Sequence, residues 1–229
     1  EKHHVRRYGF HGTSHRFVSE RAAEIMGIAK DQFNCITCHM GNGSSFTAIK
    51  GGKSYDTSMG MTPLEGIVMG TRSGDIDAGI PKFLADNNGM SFADIDNALN
   101  KQSGLFGISG ISSDMRDIEG AAKDGNARAK LAIDVLRHRV LKYIGAYAIQ
   151  LGRVDAIIFT GGIGENGIDF RASVVERLTA LGIKLDAAAN NARGKEVVIS
   201  TPDSPIKVMV VPTNEELVIA RDTKDIVSK

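Results

Sequence analysis

The sequence predicts a mixed α/β fold in which helices cover a β-sheet. Three strand-like runs at 33–38, 46–50 and 53–57 follow one another with only glycine-rich turns between them, which is typical of an antiparallel meander. Further strands are predicted at 154–160, 183–185, 197–200 and 207–211, separated by helical patches. This alternation favours a sheet flanked by helices, and 229 residues are enough to bury a substantial core.

Helix signals account for most of the remaining chain. Thr13 or Ser14 is expected to cap a first helix that ends at Gly27. Thr62 and Glu65 form a capping box that predicts a short helix ending at residue 70. Other helices are predicted over 81–86, over 92–101, after a cap at 112–114, over 126–150, from the second glycine loop to 181, and after a cap at Thr213.

Composition excludes several classes of partner. The 28 basic and 27 acidic residues give a net charge of +1 without a basic cluster, so we do not expect a nucleic-acid partner. No apolar run is long enough to span a bilayer. Cys35 and Cys38 form a lone C-x-x-C on a predicted strand, which indicates a structural role in a cytosolic protein. Because the chain begins with Glu1, we expect it to be part of a longer protein.

A first glycine loop, His39 to Ser45, lies between two predicted strands. Gly41 and Gly43 flank Asn42, and we expect them to turn with positive φ and to bring N–H groups close to a ligand. With two hydroxyls after it, such a loop suits phosphate oxygens. An ordinary Asn-Gly hairpin is the alternative interpretation.

A second glycine loop follows the predicted strand at 154–160. Gly162, Gly164 and Gly167 match G-x-G-x-x-G, and Asp186 lies 19 residues beyond the last glycine. This spacing is a dinucleotide-binding fingerprint. A dinucleotide-binding domain does not, however, explain the first loop. A Walker A loop is excluded because Thr47 stands where its first glycine is required.

Two histidines sit close together near the start of the chain. His11 and His15 have the spacing of a helical zinc pair. His11 precedes the predicted cap, however, and no glutamate follows it as in the zinc-protease pattern. A histidine next to glycines and hydroxyls suits a hydrogen-bond donor to an anion better.

Charged residues in three loops suggest anion or metal binding. Arg72 lies between glycines and acids, where its guanidinium is either a fork for phosphate or carboxylate or an exposed surface group. Asp114 and Arg116 begin a predicted helix, and Glu215 follows the Thr213 cap, where its oxygens could hold Mg²⁺. Together with the two glycine loops, these residues resemble a phosphoryl-transfer site.

The chain closely resembles the acetate kinase family, in the superfamily of acetate and sugar kinases, heat-shock ATPase chaperones and actin. The matching motifs occur in the family's order over nearly the whole chain. They are residues 7–15, 39–45, 56–66, 70–75, 113–116, 159–166 and 213–217. Met40 stands where leucine is usual, and Ala78 where proline is common.

The resemblance implies a ribonuclease H-like fold. Residues 1–215 would form the C-terminal, nucleotide-binding domain of a two-domain acetokinase fold, with a helical insertion around 78–125. Residues 216–229 would form a terminal helix that packs on an N-terminal domain absent from this chain.

The resemblance also implies roles for individual residues. His11 and Arg72 would stabilise the transferred phosphoryl group, and Glu215 would hold Mg²⁺ or Mn²⁺. Phe10 and Pro63 would line a pocket for the acyl methyl group. ATP or ADP would contact His39, Met40, Gly41, Asn42 and Gly43, then Asp114, Met115 and Arg116, and finally Gly162, Ile163, Gly164, Glu165 and Asn166.

The implied activity is the reversible, ATP-dependent phosphorylation of acetate to acetyl phosphate in a cytoplasmic homodimer. Propionate or another short-chain acid is an alternative substrate. The absent domain carries a further arginine, an aspartate and an asparagine of the family's active site. We therefore expect the chain alone to be inactive, and a non-catalytic nucleotide-binding or dimerisation module is the alternative of another class.

Overall fold

The computed structural model describes residues 2–228, which form two compact units. The first unit contains residues 2–9, 41–44 and 58–140. The second contains residues 10–40, 45–57 and 141–228. Among the described residues, no helix is both long and apolar enough to cross a membrane.

A six-stranded sheet forms the centre of the second unit. Its strands are β1 (Cys35–Met40), β2 (Ser44–Lys50), β3 (Lys53–Thr57), β4 (Ala156–Thr160), β5 (Val197–Val198) and β6 (Lys207–Val210), in the order β3-β2-β1-β4-β6-β5. β4 runs parallel to β1 and β6, whereas β3 is antiparallel to β2 and β5 to β6. The predicted mixed sheet is therefore confirmed, and the strand predicted at 183–185 is reduced to one bridge between Leu185 and Ser200.

The second unit also contains the helices α1 (Gly12–Met26), α7 (Gly161–Asn166), α8 (Ile168–Val175), α9 (Ala187–Asn190) and α10 (Glu215–Val227). α1, α7 and α9 pack against strands of the sheet, whereas α8 packs against α9 and α10 against α1. Val18, Ala22 and Ala23 of α1 are buried in a core with apolar residues of β1, β2, β4 and β6. Apolar burial of this kind is the main stabilising contribution to such a core.

The two cysteines belong to this buried layer. Cys35 and Cys38 are free thiols with no exposed surface. Burial raises the pKa of both thiols, and among the described residues no three metal-ligating side chains cluster. The burial of both thiols agrees with the structural interpretation.

The first unit is helical. It contains α2 (Ile80–Asn88), α3 (Phe92–Lys101), α4 (Gly104–Ser109), α5 (Met115–Lys123) and residues 127–140 of α6 (Ala127–Leu151). α3 confirms the helix predicted over 92–101, and Ser91 and Asp94 form a reciprocal capping box at its start. α4 was not predicted, because its first residue is a glycine with a φ of 65°.

The helix predicted over 62–70 is absent, and those described residues form turns. The carboxylate of Glu65 pairs with Arg7 instead of capping a helix. Gly66 has a φ of 109° and donates its N–H to the Asp75 carboxylate. The Glu65 carboxylate and the Gly66 N–H, which a helix start would use, therefore bind residues outside the predicted helix.

Three predicted helix ends also need correction. α1 begins one residue after His11, which stands at its N-cap without a side-chain capping bond. The second glycine loop is itself the short helix α7, and the following helix α8 ends at Val175 and not at 181. Asn214 caps α10 by accepting the Leu217 N–H, so the predicted Thr213 cap was wrong.

Candidate functional site

Three imidazoles cluster where α1 begins beside β1. The rings of His11 and His39 are stacked, with centroids 4.0 Å apart and planes 15° apart. His15 meets both rings edge-on at 6.5 and 6.3 Å. Stacked imidazoles in one cluster cannot all be protonated without strong repulsion between their charges. Their protonation states are therefore coupled.

Hydroxyl groups hold the three rings. Ser45 Oγ lies 2.9 Å from His11 Nδ1 and 2.7 Å from His15 Nε2. Thr37 Oγ1 lies 2.7 Å from His15 Nδ1, and Ser14 Oγ lies 2.9 Å from His39 Nδ1. All three hydroxyl residues are buried, and they hold the network in place from α1 and from two strands of the sheet.

Burial keeps two of the rings neutral. Desolvation, followed by the charges of His39 and His11, lowers the pKa of His15 to about 3. Desolvation, followed by the charge of His11, lowers the pKa of His39 to about 4. At neutral pH both rings are therefore uncharged hydrogen-bonding groups.

The backbone of His11 is strained. Its φ of 59° and ψ of 27° place it in the left-handed region, where residues other than glycine are uncommon. Such conformations cost about 1–3 kcal/mol and cluster at functional sites. The strain places the half-buried His11 ring over His39.

The first two residues of the first glycine loop meet the start of the second. β1 pairs with β4 so that His39 lies opposite Thr160. The residue after Thr160, Gly161, has a φ of 75°, and a Cβ placed there would lie 2.8 Å from the Met40 carbonyl oxygen. The structure therefore brings His39 and Met40 together with the beginning of α7, and the Met40 side chain is fully buried.

α7 presents a small and partly exposed surface. Gly162 and Asn166 are exposed, whereas Gly164 is buried against β4. Glu165 Oε1 accepts hydrogen bonds from the N–H groups of Gly161 at 2.9 Å and Thr213 at 3.3 Å. The half-buried Glu165 carboxylate thus organises the loop itself, and Ile163 is also half-buried.

The acid of the dinucleotide fingerprint has a local role. Asp186 is the N-cap of α9, and its carboxylate accepts the N–H of Ala189 at 3.0 Å. A fingerprint acid would instead bind a ribose hydroxyl. The geometry therefore gives the dinucleotide interpretation no support.

A buried arginine supports α7 from behind. Arg171 has no exposed surface and donates from Nη1 to the Gly164 carbonyl at 2.9 Å. It also donates to Asn190 Oδ1, Asn190 O and Ala192 O at 2.8–2.9 Å. Desolvation and the nearby Arg193 lower its pKa to about 10. No motif signalled Arg171, because its acceptors are carbonyl and amide oxygens brought together only by the fold.

The remainder of the first glycine loop belongs to the first unit. The Gly41 N–H donates to the Gly43 carbonyl at 3.1 Å, and the Asn42 carbonyl accepts the Gly70 N–H at 3.2 Å. Among the described residues, the glycines with positive φ include neither Gly41 nor Gly43, so that expectation was wrong. Asn42 is exposed, and a Cβ on Gly70 would lie 2.1 Å from its Oδ1.

Arg72 and Pro63 are neighbours in the first unit. Arg72 Nη1 donates to the Pro63 carbonyl at 3.3 Å and lies 3.8 Å from the Met69 sulfur. In the described part of the chain, Arg72 forms no salt bridge. No carboxylate of the described residues neutralises its half-buried guanidinium, which is therefore able to bind an anion beside Pro63.

The segment at the start of α5 is also in the first unit. The Asp114 carboxylate accepts the Arg116 N–H at 2.9 Å and the Arg116 Nε–H at 3.0 Å. These hydrogen bonds lower the pKa of Asp114 to about 2. The Arg116 side chain is exposed, whereas Met115 is buried and faces the interior.

The predicted metal ligand, Glu215, is the half-buried first residue of α10. Two residues earlier, Thr213 Oγ1 is buried and has no hydrogen-bond partner among the described residues. A buried polar atom without a partner indicates room for a ligand or water at that point. The C-terminal motif therefore has a buried hydroxyl oxygen without a partner among the described residues, two residues before Glu215 in the sequence.

The structure thus sorts the predicted site residues into two groups. Phe10, His11, His39, Met40, residues 162–166 and Glu215 lie in the second unit, and residues 41–43, Pro63, Arg72 and 114–116 lie in the first. Residue-based reasoning assigned the Ser45 hydroxyl to phosphate, whereas the structure places it on His11 and His15, and it assigned no role to His15. His15, with its G-T-S-H context, could have been singled out only by knowing that Thr37 and Ser45 face it.

Comparisons with known proteins identify the family. The acetokinase family model matches residues 1–221. Acetate kinase of Halothermothrix orenii is 60% identical over 227 residues, which cover 99% of this chain and 57% of that protein. The crystal structure of Porphyromonas gingivalis acetate kinase has a TM-score of 0.96 at 53% identity, covering 99% of this chain and 57% of that one.

A second solved structure has a different substrate in its name. A propionate kinase from Francisella tularensis has a TM-score of 0.91 at 49% identity, covering 97% of this chain and 56% of that one. The chain spans about half the length of the curated relatives it matches. By the family match and the motifs described above, the chain belongs to the acetokinase family.

Proposed function

We propose that the complete protein catalyses the reversible transfer of the γ-phosphoryl group of ATP to acetate, giving acetyl phosphate and ADP. The observation that carries this proposal is the Arg72 guanidinium, which lies beside Pro63 and, among the described residues, is bonded only to neutral acceptors. The high identity to proteins named acetate kinase supports the same reaction.

The reaction needs positive charge more than it needs a base. A short carboxylic acid is already ionised at neutral pH. One of its oxygens attacks the γ-phosphorus and forms the new O–P bond. The bond from that phosphorus to the bridging oxygen breaks, and ADP leaves with its electron pair. Catalysis therefore consists of positioning two anions and stabilising charge on the moving group.

Arg72 and His11 are the proposed stabilisers of that charge. A guanidinium fork suits two oxygens of a planar phosphoryl group. The His11 ring, held by Ser45 and His39, offers a nitrogen donor. Phe10 precedes His11 in the sequence, and the Pro63 carbonyl accepts a hydrogen bond from Arg72. Both are half-buried apolar residues, and they are the proposed walls for the acyl methyl group.

The nucleotide is proposed to contact both glycine segments and the start of α5. The exposed residues Asn42, Gly162, Asn166 and Arg116 offer polar atoms or open backbone to it. Met40 and Met115 are buried, so their side chains act by packing behind the nucleotide segments. Glu165 acts by holding the start of α7 through the Gly161 N–H.

Mg²⁺ or Mn²⁺ fits this site only together with a nucleotide. Glu215 would supply one carboxylate to the ion, and the buried Thr213 Oγ1, which has no partner among the described residues, would be a further oxygen of the same motif. In the described part of the chain, no three metal-ligating side chains cluster, but Mg²⁺ is commonly held by one or two carboxylates plus substrate phosphates. When bound, the ion supplies positive charge to the phosphate oxygens.

Propionate is the second candidate acid, favoured by the structural likeness to a propionate kinase. We further propose that this chain is the C-terminal, nucleotide-binding domain of a cytoplasmic homodimer. On this proposal the chain alone binds nucleotide weakly and lacks kinase activity, because an N-terminal domain supplies the remaining active-site residues.

The proposal is tested with a hydroxamate assay of the complete protein, with acetate and propionate offered separately. Arg72→Ala is expected to lower turnover by at least about 10³-fold, the scale of a lost transition-state arginine. Arg128→Ala is the matched control, because Arg128 also binds carbonyls, those of Ile108 and Gly107, in the same unit. Near-normal turnover of Arg72→Ala would refute the role of Arg72, and absence of acyl phosphate in the wild type would refute the function.

A further inference from the structure

A loop over residues 69–73 packs against the start of α4. The Leu105 N–H donates to the Met69 carbonyl at 2.8 Å, and the Phe106 N–H donates to the Gly70 carbonyl at 2.9 Å. The first N–H groups of a helix have no partner within that helix. This loop supplies the partners, so α4 holds it through its own free donors.

Arg72 is the fourth residue of this loop, and both of its neighbours are hydrogen-bonded to residues at the end of α3 or just after it. The Ser103 N–H donates to the Thr71 carbonyl at 3.0 Å, and the Ser73 N–H donates to the Leu99 carbonyl at 2.9 Å. Because the residues on both sides are held, the backbone from which the Arg72 side chain starts has little freedom.

Gly104 lets the two backbones approach each other this closely. It is buried and has a φ of 65°, and a Cβ at its position would lie 2.2 Å from the Met69 carbonyl oxygen. The same Cβ would lie 2.8 Å from the Arg72 carbonyl oxygen and 2.9 Å from the Arg72 nitrogen. Glycine is the residue that permits such an approach. The start of α4 is therefore packed directly against the backbone of Arg72.

Thr71 adds a side-chain bond to these backbone contacts. Its Oγ1 donates to the Asn100 carbonyl at 2.9 Å, and the residue is half-buried. Asn100 lies in the last turn of α3, where the carbonyls have no partner within the helix. The loop thus completes hydrogen bonds at the end of α3 as well as at the start of α4. The Thr71 bond lies next to Arg72 in the sequence, and a substitution can remove it while the backbone bonds stay in place.

We infer that Thr71 is a positioning residue for Arg72, and that its hydroxyl helps the ends of α3 and α4 to hold the Arg72 guanidinium in one place. This inference rests on the proposed function in one respect, namely that Arg72 contacts the transferred phosphoryl group. The Arg72 side chain is long and is bonded near its end to the Pro63 carbonyl at 3.3 Å, so its reach to an anion depends on where its backbone is held. Phosphoryl transfer depends largely on positioning, and a displacement of about 1 Å can cost about 10²-fold in rate.

The first test compares Thr71→Val with Thr71→Ser in the complete protein. Valine has nearly the shape of threonine without the hydroxyl, whereas serine keeps the hydroxyl. Thr71→Val is expected to lower kcat for acyl phosphate formation by about tenfold, the scale of one lost hydrogen bond, with the KM for ATP changed by less than about twofold. Thr71→Ser is expected to recover most of this loss.

A double-mutant cycle shows whether Thr71 acts through Arg72. In an Arg72→Ala background there is no guanidinium to position, so Thr71→Val is expected to lower the residual turnover by less than about twofold. A role independent of Arg72 would instead give the same loss of about tenfold in both backgrounds.

Ser103→Ala is the matched control. The Ser103 hydroxyl donates to the Ala98 carbonyl of α3 at 2.8 Å, which is the same kind of bond in the same segment. The bond from the Ser103 N–H to Thr71 is a backbone bond and remains. The kcat of Ser103→Ala should therefore stay within about twofold of the wild type. A loss as large as that of Thr71→Val would overturn the inference, because any weakening of the segment would then be enough to lower turnover.

A readout that does not depend on turnover follows the guanidinium itself. The Arg72 Nε–H signal is assigned by its loss in Arg72→Ala, and its ¹H–¹⁵N heteronuclear NOE reports motion on the ps–ns timescale. The NOE is expected to be lower in Thr71→Val than in the wild type and in Ser103→Ala. An NOE that Thr71→Val leaves unchanged would overturn the positioning role.

The outcomes separate the inference from the proposed function. Wild-type kcat in Thr71→Val, or equal losses in both backgrounds of the cycle, would overturn the inference. A complete wild-type protein that makes no acyl phosphate would overturn the proposed function, whereas a lowered NOE in Thr71→Val would still support the contribution of Thr71 to holding Arg72.

Discussion

Gly161, at the start of α7, packs against the backbone of Met40. The two glycine segments that are proposed to bind the nucleotide meet at this contact. The Gly161 φ of 75° costs an L-residue about 1–2 kcal/mol. A Cβ there would lie 2.8 Å from the Met40 carbonyl oxygen and 3.0 Å from Met40 N and C. These are backbone atoms of a paired strand, so they cannot move away as a flexible side chain can, and overpacking of this kind costs about 1–3 kcal/mol. We therefore expect Gly161→Ala to lower the free energy of unfolding by about 2–5 kcal/mol.

Two other glycines separate the contributions to this effect. Gly152 has a φ of 71° and nothing within 4 Å of the position that a Cβ would take, so Gly152→Ala carries the backbone cost alone. Gly162 has neither a positive φ nor a neighbour within 4 Å, so an alanine there is expected to stabilise α7 by up to about 1 kcal/mol.

Urea unfolding followed by circular dichroism measures all three variants. The expected order of stability is Gly162→Ala, then Gly152→Ala, then Gly161→Ala. A Gly161→Ala variant as stable as Gly152→Ala would refute the argument that the Met40 backbone closes this space.

Two further predictions concern buried polar side chains. Arg171→Met leaves four oxygen acceptors without their donor and should lower the free energy of unfolding by about 2–4 kcal/mol. Arg193→Ala, which loses one exposed hydrogen bond, should stay close to wild type in the same urea titration, and equal effects would contradict the argument. His15 has a folded pKa of about 3 against 6.5 when unfolded, so below pH 6.5 the unfolded chain binds a proton that the folded chain does not. Stability should therefore fall as pH is lowered from 6.5 toward 3, and less so in His15→Gln; identical pH slopes would contradict the role of burial.

Elements whose signals are local were predictable from the sequence. The Ser91 cap and its partner Asp94 lie within one turn, and both bonds of the capping box are formed. The Gly51–Gly52 turn joins two neighbouring antiparallel strands, as predicted. Each of these two signals involves groups that are close in sequence, and the structure forms both.

The capping box of Thr62 and Glu65 looks the same in sequence and yet forms no helix. Its carboxylate pairs with Arg7, which is 58 residues away. The nearby Gly66 N–H is taken by Asp75. A local pattern therefore fails where a charged partner from another part of the chain binds the group on which the pattern depends.

The candidate site shows the same difference between features with a local sequence signal and features that depend on distant residues. His11, Arg72 and the glycine segments could be proposed because their motifs are contiguous in the sequence. The contacts of Ser45 and Arg171 could not be predicted, because Ser45 contacts a histidine 30 residues earlier and Arg171 an asparagine 19 residues later. Candidate ligand-binding residues can thus be proposed from motifs, whereas the contacts that orient them require the fold.

The buried polar cluster beneath His11 is itself an argument for function. His15, Thr37 and Ser45 occupy positions next to an apolar core, where polar groups are tolerated only with full hydrogen bonding. Well-packed apolar side chains at such positions commonly give equal or greater stability. Stability alone therefore does not explain a neutral histidine between two hydroxyls, and the strained backbone of His11 adds a second cost at the same place. Both costs are explained together if the network exists to hold one imidazole in one protonation and one orientation.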